Sequence, residues 1–167
     1  MKYLFVFLLL GLVSCGDASS NASENVKPKL KEYSWDEVTM PNDTIAFFKK
    51  DMKPVTGVVR DRYEDGQLKS EYNFKDGKLD GLCRERYEDG QLMYDGNFKD
   101  DKRDGLCRAW YENGQLLYEY NYKDGKIDGL AREWHRSGGL KIEQNYKEDK
   151  LISKKCFDEN GNKIICE

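Results

Sequence analysis

The stretch YEDGQLKSEYNFKDG at residues 63–77 decides the fold, because it returns three times at a spacing of 24 residues. It recurs as YEDGQLMYDGNFKDD at 87–101, YENGQLLYEYNYKDG at 111–125 and HRSGGLKIEQNYKED at 135–149. Outside these stretches the same period fixes Gly57, Gly81, Gly105 and Gly129, and Arg60, Arg84, Arg108 and Arg132. Leu68, Leu92, Leu116 and Leu140 form a further column, as do Asn73, Asn97, Asn121 and Asn145, and the aromatic set Phe74, Phe98, Tyr122 and Tyr146. A fixed period of this length means stacked supersecondary units, each burying its apolar side against its neighbours.

Each unit reads as two strands and two turns. Asp65-Gly66, Asp89-Gly90, Asn113-Gly114, Asp76-Gly77 and Asp124-Gly125 are dipeptides suited to tight hairpin turns with positive φ. Asp101 and Asp149 replace two expected glycines, and Asp tolerates the left-handed region better than most residues. Along the second strand, Leu68, Ser70, Tyr72 and Phe74 alternate with Lys69, Glu71, Asn73 and Lys75, the period of a half-buried antiparallel strand. That reading puts rows of Tyr, Phe, Leu and Trp on one face. No proline occurs after Pro54, as interior strands require. The expectation is an all-β fold: an extended antiparallel meander of repeated hairpins forming a largely single-layer sheet.

Residues 63–81, YEDGQLKSEYNFKDGKLDG, resemble the bacterial variant of the MORN repeat. The preceding KPVTGVV at 53–59 is similar to that family's entry segment. The resemblance covers about residues 45–167. Within the family the chain resembles YwqK-type proteins, described as antitoxins of toxin–antitoxin systems and often lipoproteins. The likeness implies a protein-binding module whose partner is a protein toxin. MORN repeats elsewhere resemble scaffolds and lipid- or protein-contacting surfaces, so an envelope scaffold touching glycan or lipid is the alternative.

The amino terminus reads as an address. Met1-Lys2 precedes an apolar run at 3–13, too short to span a bilayer and suited to a signal peptide. Leu12-Val13-Ser14-Cys15 resembles a lipobox, in which the Cys15 thiol receives a diacylglycerol and the peptide is cut before it. A lipid anchor on Cys15 would hold the protein in the cell envelope. Gly16, where a retention mark for the inner membrane would place Asp, favours the outer membrane. The expected organisation is a signal peptide at 1–14, a flexible tether at 15–32, and an N-terminal cap with a half-repeat at 33–56. Four repeats at 57–152 and a closing hairpin at 153–167 complete it. Residues 45–53 are the expected half-unit, with Ile45, Phe47 and Lys49 on alternate positions.

Charge and chemistry exclude several classes. Twenty-eight basic against 31 acidic residues give a net charge of −3, which gives no support to nucleic-acid binding. The single histidine, His135, sits in the column of Tyr63, Tyr87 and Tyr111, and reads as a substituted tyrosine. No phosphate-cradling glycine loop, metal-ligand spacing or nucleophile with a base appears, so no catalytic residue, metal or cofactor is expected. Cys83 and Cys107 fall two strands apart, about 9 to 10 Å, beyond disulfide reach, and are expected reduced and packed. Cys156 and Cys166 flank the turn at Asn160-Gly161 and could bridge in an oxidising compartment. A two-residue turn there would pair Cys156 with Ile165, so a bridge needs a longer or bulged turn. Lys78, Lys102, Lys126 and Lys150 line one sheet edge. With Trp110 and Trp134 they are the candidate partner contacts, although edge lysines also serve simply to prevent sheet-to-sheet association.

Overall fold

The computed structural model describes residues 30–41 and 45–166. Cys15, the signal-peptide segment and most of the expected tether lie outside them. Ten strands of the repeat region run in chain order: β4 (Gly57–Arg62), β5 (Leu68–Lys75), β6 (Lys78–Arg86), β7 (Leu92–Lys99), β8 (Lys102–Trp110), β9 (Leu116–Lys123), β10 (Lys126–Trp134), β11 (Leu140–Lys147), β12 (Lys150–Phe157) and β13 (Lys163–Ile164). Each pairs antiparallel with the next. The molecule is therefore the all-β hairpin meander that the 24-residue period implies, in one sheet of 11 strands.

Two turn types alternate along the array. At 63–67 Tyr63 N donates to Gln67 O and Gly66 N to Tyr63 O, leaving a three-residue loop in which only Gly66 has positive φ, 88°. Asp76 and Gly77, at φ 51° and 83°, form the two-residue loop with both residues left-handed. Asp101 and Asp149 both adopt φ 65° in that second class. Their carboxylates recover the cost: Asp101 Oδ1 accepts from Leu79 N at 2.7 Å, and Asp149 Oδ1 from Ile127 N at 2.7 Å.

The three-residue loop corrects the expected faces. Arg62 pairs with Leu68 but Asp61 with Ser70, so Lys69 is an extra, bulged residue. Met93, Leu117 and Lys141 are bulged at the equivalent places. Each bulge moves the preceding leucine to the other face. Leu68, Leu92, Leu116 and Leu140 thus lie with Arg62, Arg86, Trp110 and Trp134, opposite the tyrosines and phenylalanines.

Of the expected N-terminal cap and half-repeat, the half-repeat departs from expectation. β1 (Glu32–Ser34) joins the sheet edge parallel to β4, followed by a 3-10 turn at Trp35–Glu37. β2 (Val38–Thr39) and β3 (Phe47–Phe48) pair with each other outside the main sheet. Residues 45–53 are therefore not a half-repeat strand but part of a cover. The reason is apolar: Val38, Ala46 and Val55 bury with Val59 and Phe74, and Trp35 meets Tyr72 and Phe74 edge-on at 5.9 and 6.1 Å. This small core seals the aromatic face of β4–β6.

Candidate partner-binding site

Register assigns every repeat column to a face. One face carries Tyr72, Phe74, Tyr94, Phe98, Tyr118, Tyr120, Tyr122 and Tyr146. Beyond β6 each strand contacts chiefly its sheet neighbours, so among the described residues no element covers this aromatic face from β7 onward. Tyr118, Tyr120 and Tyr122 form a row with ring centroids 4.9 and 6.4 Å apart. Cys83, opposite Tyr72, and Cys107, opposite Tyr120, lie on the same face, each fully buried and each also opposite Gly96. Both are free thiols, and burial pushes the Cys83 thiol up to about 12.

Two tyrosine–carboxylate pairs sit on the same face. The Tyr72 hydroxyl donates to Glu85, and the Tyr120 hydroxyl to Glu133. Burial first, then the adjacent carboxylate, holds both phenols well above the usual tyrosine range. Tyr94 is raised as well, mainly by burial.

The opposite face is a polar ladder. Arg60 bonds Glu71 at 2.5 Å, Arg84 Asp95 at 3.1 Å, Arg108 Glu119 at 2.7 Å and Arg132 Glu143 at 3.1 Å. Each arginine stands opposite its acid in register. A spacing of 11 residues, constant through four units, is the sequence signal that could have revealed these pairs. The six candidate contacts lie on this ladder face. Lys78, Lys102, Lys126 and Lys150 are exposed and pair with Lys75, Lys99, Lys123 and Lys147 along one edge. Trp110 and Trp134 are half-buried toward the other edge, with the arginine–acid pairs between. The lysines and tryptophans therefore share a face but do not form one cluster.

A second ladder ties the units together. Tyr63, Tyr87 and Tyr111 donate to the carbonyls of Arg86, Trp110 and Trp134, at 2.5, 2.6 and 3.0 Å. His135 continues the series, its Nε2 lying 3.0 Å from Phe157 O. At the carboxyl end, Cys156 and Cys166 are joined in a disulfide with Cα atoms 5.4 Å apart. The turn at 158–162 is again the three-residue loop, which pairs Cys156 with Ile164 and brings Cys166 within reach. Among the described residues, no cluster of His, Cys, Asp or Glu could hold a metal ion.

These features define an open sheet of hairpin repeats with one aromatic and one ionic face. Residues 55–76, 79–100, 103–124 and 127–148 each match the MORN repeat variant family, together just over half of the chain. The protein belongs to that family. Its matched units begin at Val55, Leu79, Arg103 and Ile127, the residues whose carbonyls accept from residues 77, 101, 125 and 149 of the following turn. No curated protein matches the chain.

Proposed function

We propose that the protein is a non-enzymatic capture module, held at the outer membrane of a bacterium by lipid on Cys15, and that it binds and neutralises a protein toxin. The observation supporting capture is the open aromatic face over β7–β12. Rings there are rigid contact surface, and tyrosine combines apolar area with a polar tip. Turn, ladder and ion-pair residues recur from unit to unit, as structural positions do. The antitoxin role rests on the resemblance of the repeat to YwqK-type proteins.

The test is a pull-down of the mature domain from its own cells, followed by co-expression of any captured protein with and without the module. One co-purifying protein whose toxicity the module suppresses is the expected result. Altered envelope integrity on deletion, with no captured protein, would replace this reading with a scaffold contacting glycan or lipid. Radiolabelled palmitate should appear on the wild-type chain and be absent from Cys15→Ala; equal labelling of both would remove the anchor from the proposal.

A further inference from the structure

Three departures from the repeat pattern fall together at one place. Gly96 stands in a column otherwise filled by Tyr72, Tyr120 and Gln144. Arg103 replaces the apolar Val55, Leu79, Ile127 and Leu151. Ala109 replaces the acidic Asp61, Glu85 and Glu133. Register brings the three together on the aromatic face: Gly96 opposite Cys107, Ala109 opposite Tyr94, and Arg103 opposite Phe98.

Together they shape a recess. A side chain on residue 96 would overlap the Tyr94 hydroxyl and lie 3.0 Å from Cys107 Sγ, so glycine lets the Tyr94 ring lean across its own strand. That leaning, with the short side chain of Ala109, opens about 320 Å3 lined by Glu85, Met93, Tyr94, Arg103, Ala109 and Tyr118. The Tyr94 hydroxyl is buried and makes no hydrogen bond of good geometry, its polar neighbours being Arg103 and Cys107. Arg103 is exposed, its guanidinium carbon 5.9 Å from the Phe98 ring centroid and 5.5 Å from that of Tyr122. The four ladder arginines each hold a carboxylate, whereas Arg103 makes no ion pair with any described residue. Losing an acid at 109 and gaining a cation at 103 makes this spot two charges more positive than the repeat pattern prescribes.

We infer that this recess binds a single carboxylate flanked by apolar groups, as an acidic side chain beside an aromatic or aliphatic residue of a partner protein supplies. The guanidinium, held between two rings, presents a planar fork to a planar carboxylate. Glu85 on the wall, bonded to the Tyr72 hydroxyl, repels any anion, but a doubly charged phosphate more than a singly charged carboxylate, and Met93 and Tyr118 offer apolar contact. The source of the carboxylate rests on the capture reading above; the chemistry of the recess does not.

The probe is sodium benzoate, an apolar monocarboxylate, titrated against the protein and followed by NMR at the Arg103 Nε–H and the Tyr118 ring. Inorganic phosphate and phosphatidylglycerol vesicles are the comparison probes. Saturable shifts with benzoate are expected, weakened roughly ten-fold or more in both Arg103→Leu and Ala109→Glu. Arg103→Leu restores the apolar residue type of its column and should keep the wild-type circular dichroism and melting, so its titration decides. The carboxylate introduced by Ala109→Glu lacks a tyrosine partner like those of Glu85 and Glu133, and that variant serves as the second reading. Unchanged benzoate binding in Arg103→Leu, or phosphate binding as tightly as benzoate, would overturn the proposal. Vesicle binding that depends on Arg103 would assign the site to a lipid headgroup instead. A partner captured equally well by Arg103→Leu would sink the partner carboxylate alone, whereas a domain that captures nothing would sink the capture reading while the titration still decides the chemistry.

Discussion

The same substitution at two equivalent turns should have opposite consequences. Gly77 and Gly125 occupy one column with Asp101 and Asp149, and all four are left-handed, at φ 83°, 86°, 65° and 65°. In Gly125→Asp the new Cβ meets only the Lys102 side chain, at 3.5 and 3.6 Å, an ordinary contact. Its carboxylate can cap Arg103 N as Asp101 caps Leu79 N. The left-handed backbone costs about 1 kcal/mol and the charge-assisted bond returns a similar amount, so stability should change by less than ~1 kcal/mol. In Gly77→Asp the Cβ overlaps Ile45 Cγ2 and comes 2.9 Å from Ala46 O, in the packed N-terminal cover. Overpacking of that kind costs about 1–3 kcal/mol. The bonds Ala46 N to Gly77 O (2.7 Å) and Gly77 N to Val55 O (2.8 Å) are put at risk as well, at about 0.5–1.5 kcal/mol each. A loss of roughly 2–6 kcal/mol follows from those two contributions. Urea unfolding followed by tryptophan fluorescence reads both variants, because Trp35 reports the cover while Trp110 and Trp134 report the repeats. Equal destabilisation of the two variants, or a Gly125→Asp protein weakened by more than ~2 kcal/mol, would refute the reasoning about these turns.

Further expectations concern the ends, the ladder and the tyrosines. Cys166→Ser opens a loop of sequence separation 10, removing at most about 2–3 kcal/mol, and the increase in hydrogen exchange should be confined to β12 and β13; exchange rising through β7 would contradict nearest-neighbour coupling. His135→Phe should lose about 1 kcal/mol by orphaning Phe157 O, while His135→Tyr should match or exceed the wild type in thermal melting. Tyr72, Tyr94 and Tyr120 hold their protons to higher pH folded than unfolded. Their contribution to stability is complete below the ordinary tyrosine range and is lost as pH rises through the folded values. Ultraviolet titration should therefore show a group of tyrosines that ionises only with unfolding; a single smooth transition near the ordinary value would count against it. Cys83 should resist alkylation at neutral pH until denaturant is added, since its thiol is both buried and held in the protonated form.

What the sequence displayed and what it hid follow from the range of the interactions. Strands, turns and stacking order are local or repeated, so Gly66, Gly90, Gly114 and Gly138 at one spacing were enough to place them. The faces were misread because the three-residue loop and the bulge at Lys69 are each a one-residue slip. The bulge compensates the loop within six residues, leaving Ser70, Tyr72 and Phe74 where simple alternation puts them and moving only Leu68. The N-terminal cover was not legible because its contacts join segments with no shared period: Ala46 meets Gly77, and β1 runs parallel to β4. The recess was hidden for the converse reason. Its three departures at residues 96, 103 and 109 become neighbours only once the strands are paired.

The bonds between successive units have a further consequence. Tyrosine hydroxyls reach 23 residues ahead in three copies, His135 reaches Phe157 in the fourth, and turn amides reach 22 back in all four. Excision of one whole 24-residue segment would leave a severed tyrosine facing the same kind of carbonyl and a severed amide facing the same kind of acceptor. Duplication would do likewise. Such an array can lengthen or shorten in descent without inventing a new interface. The elements that fix its identity are then the unrepeated ones: the cover that begins it, the disulfide-closed hairpin that ends it, and the irregular patch between.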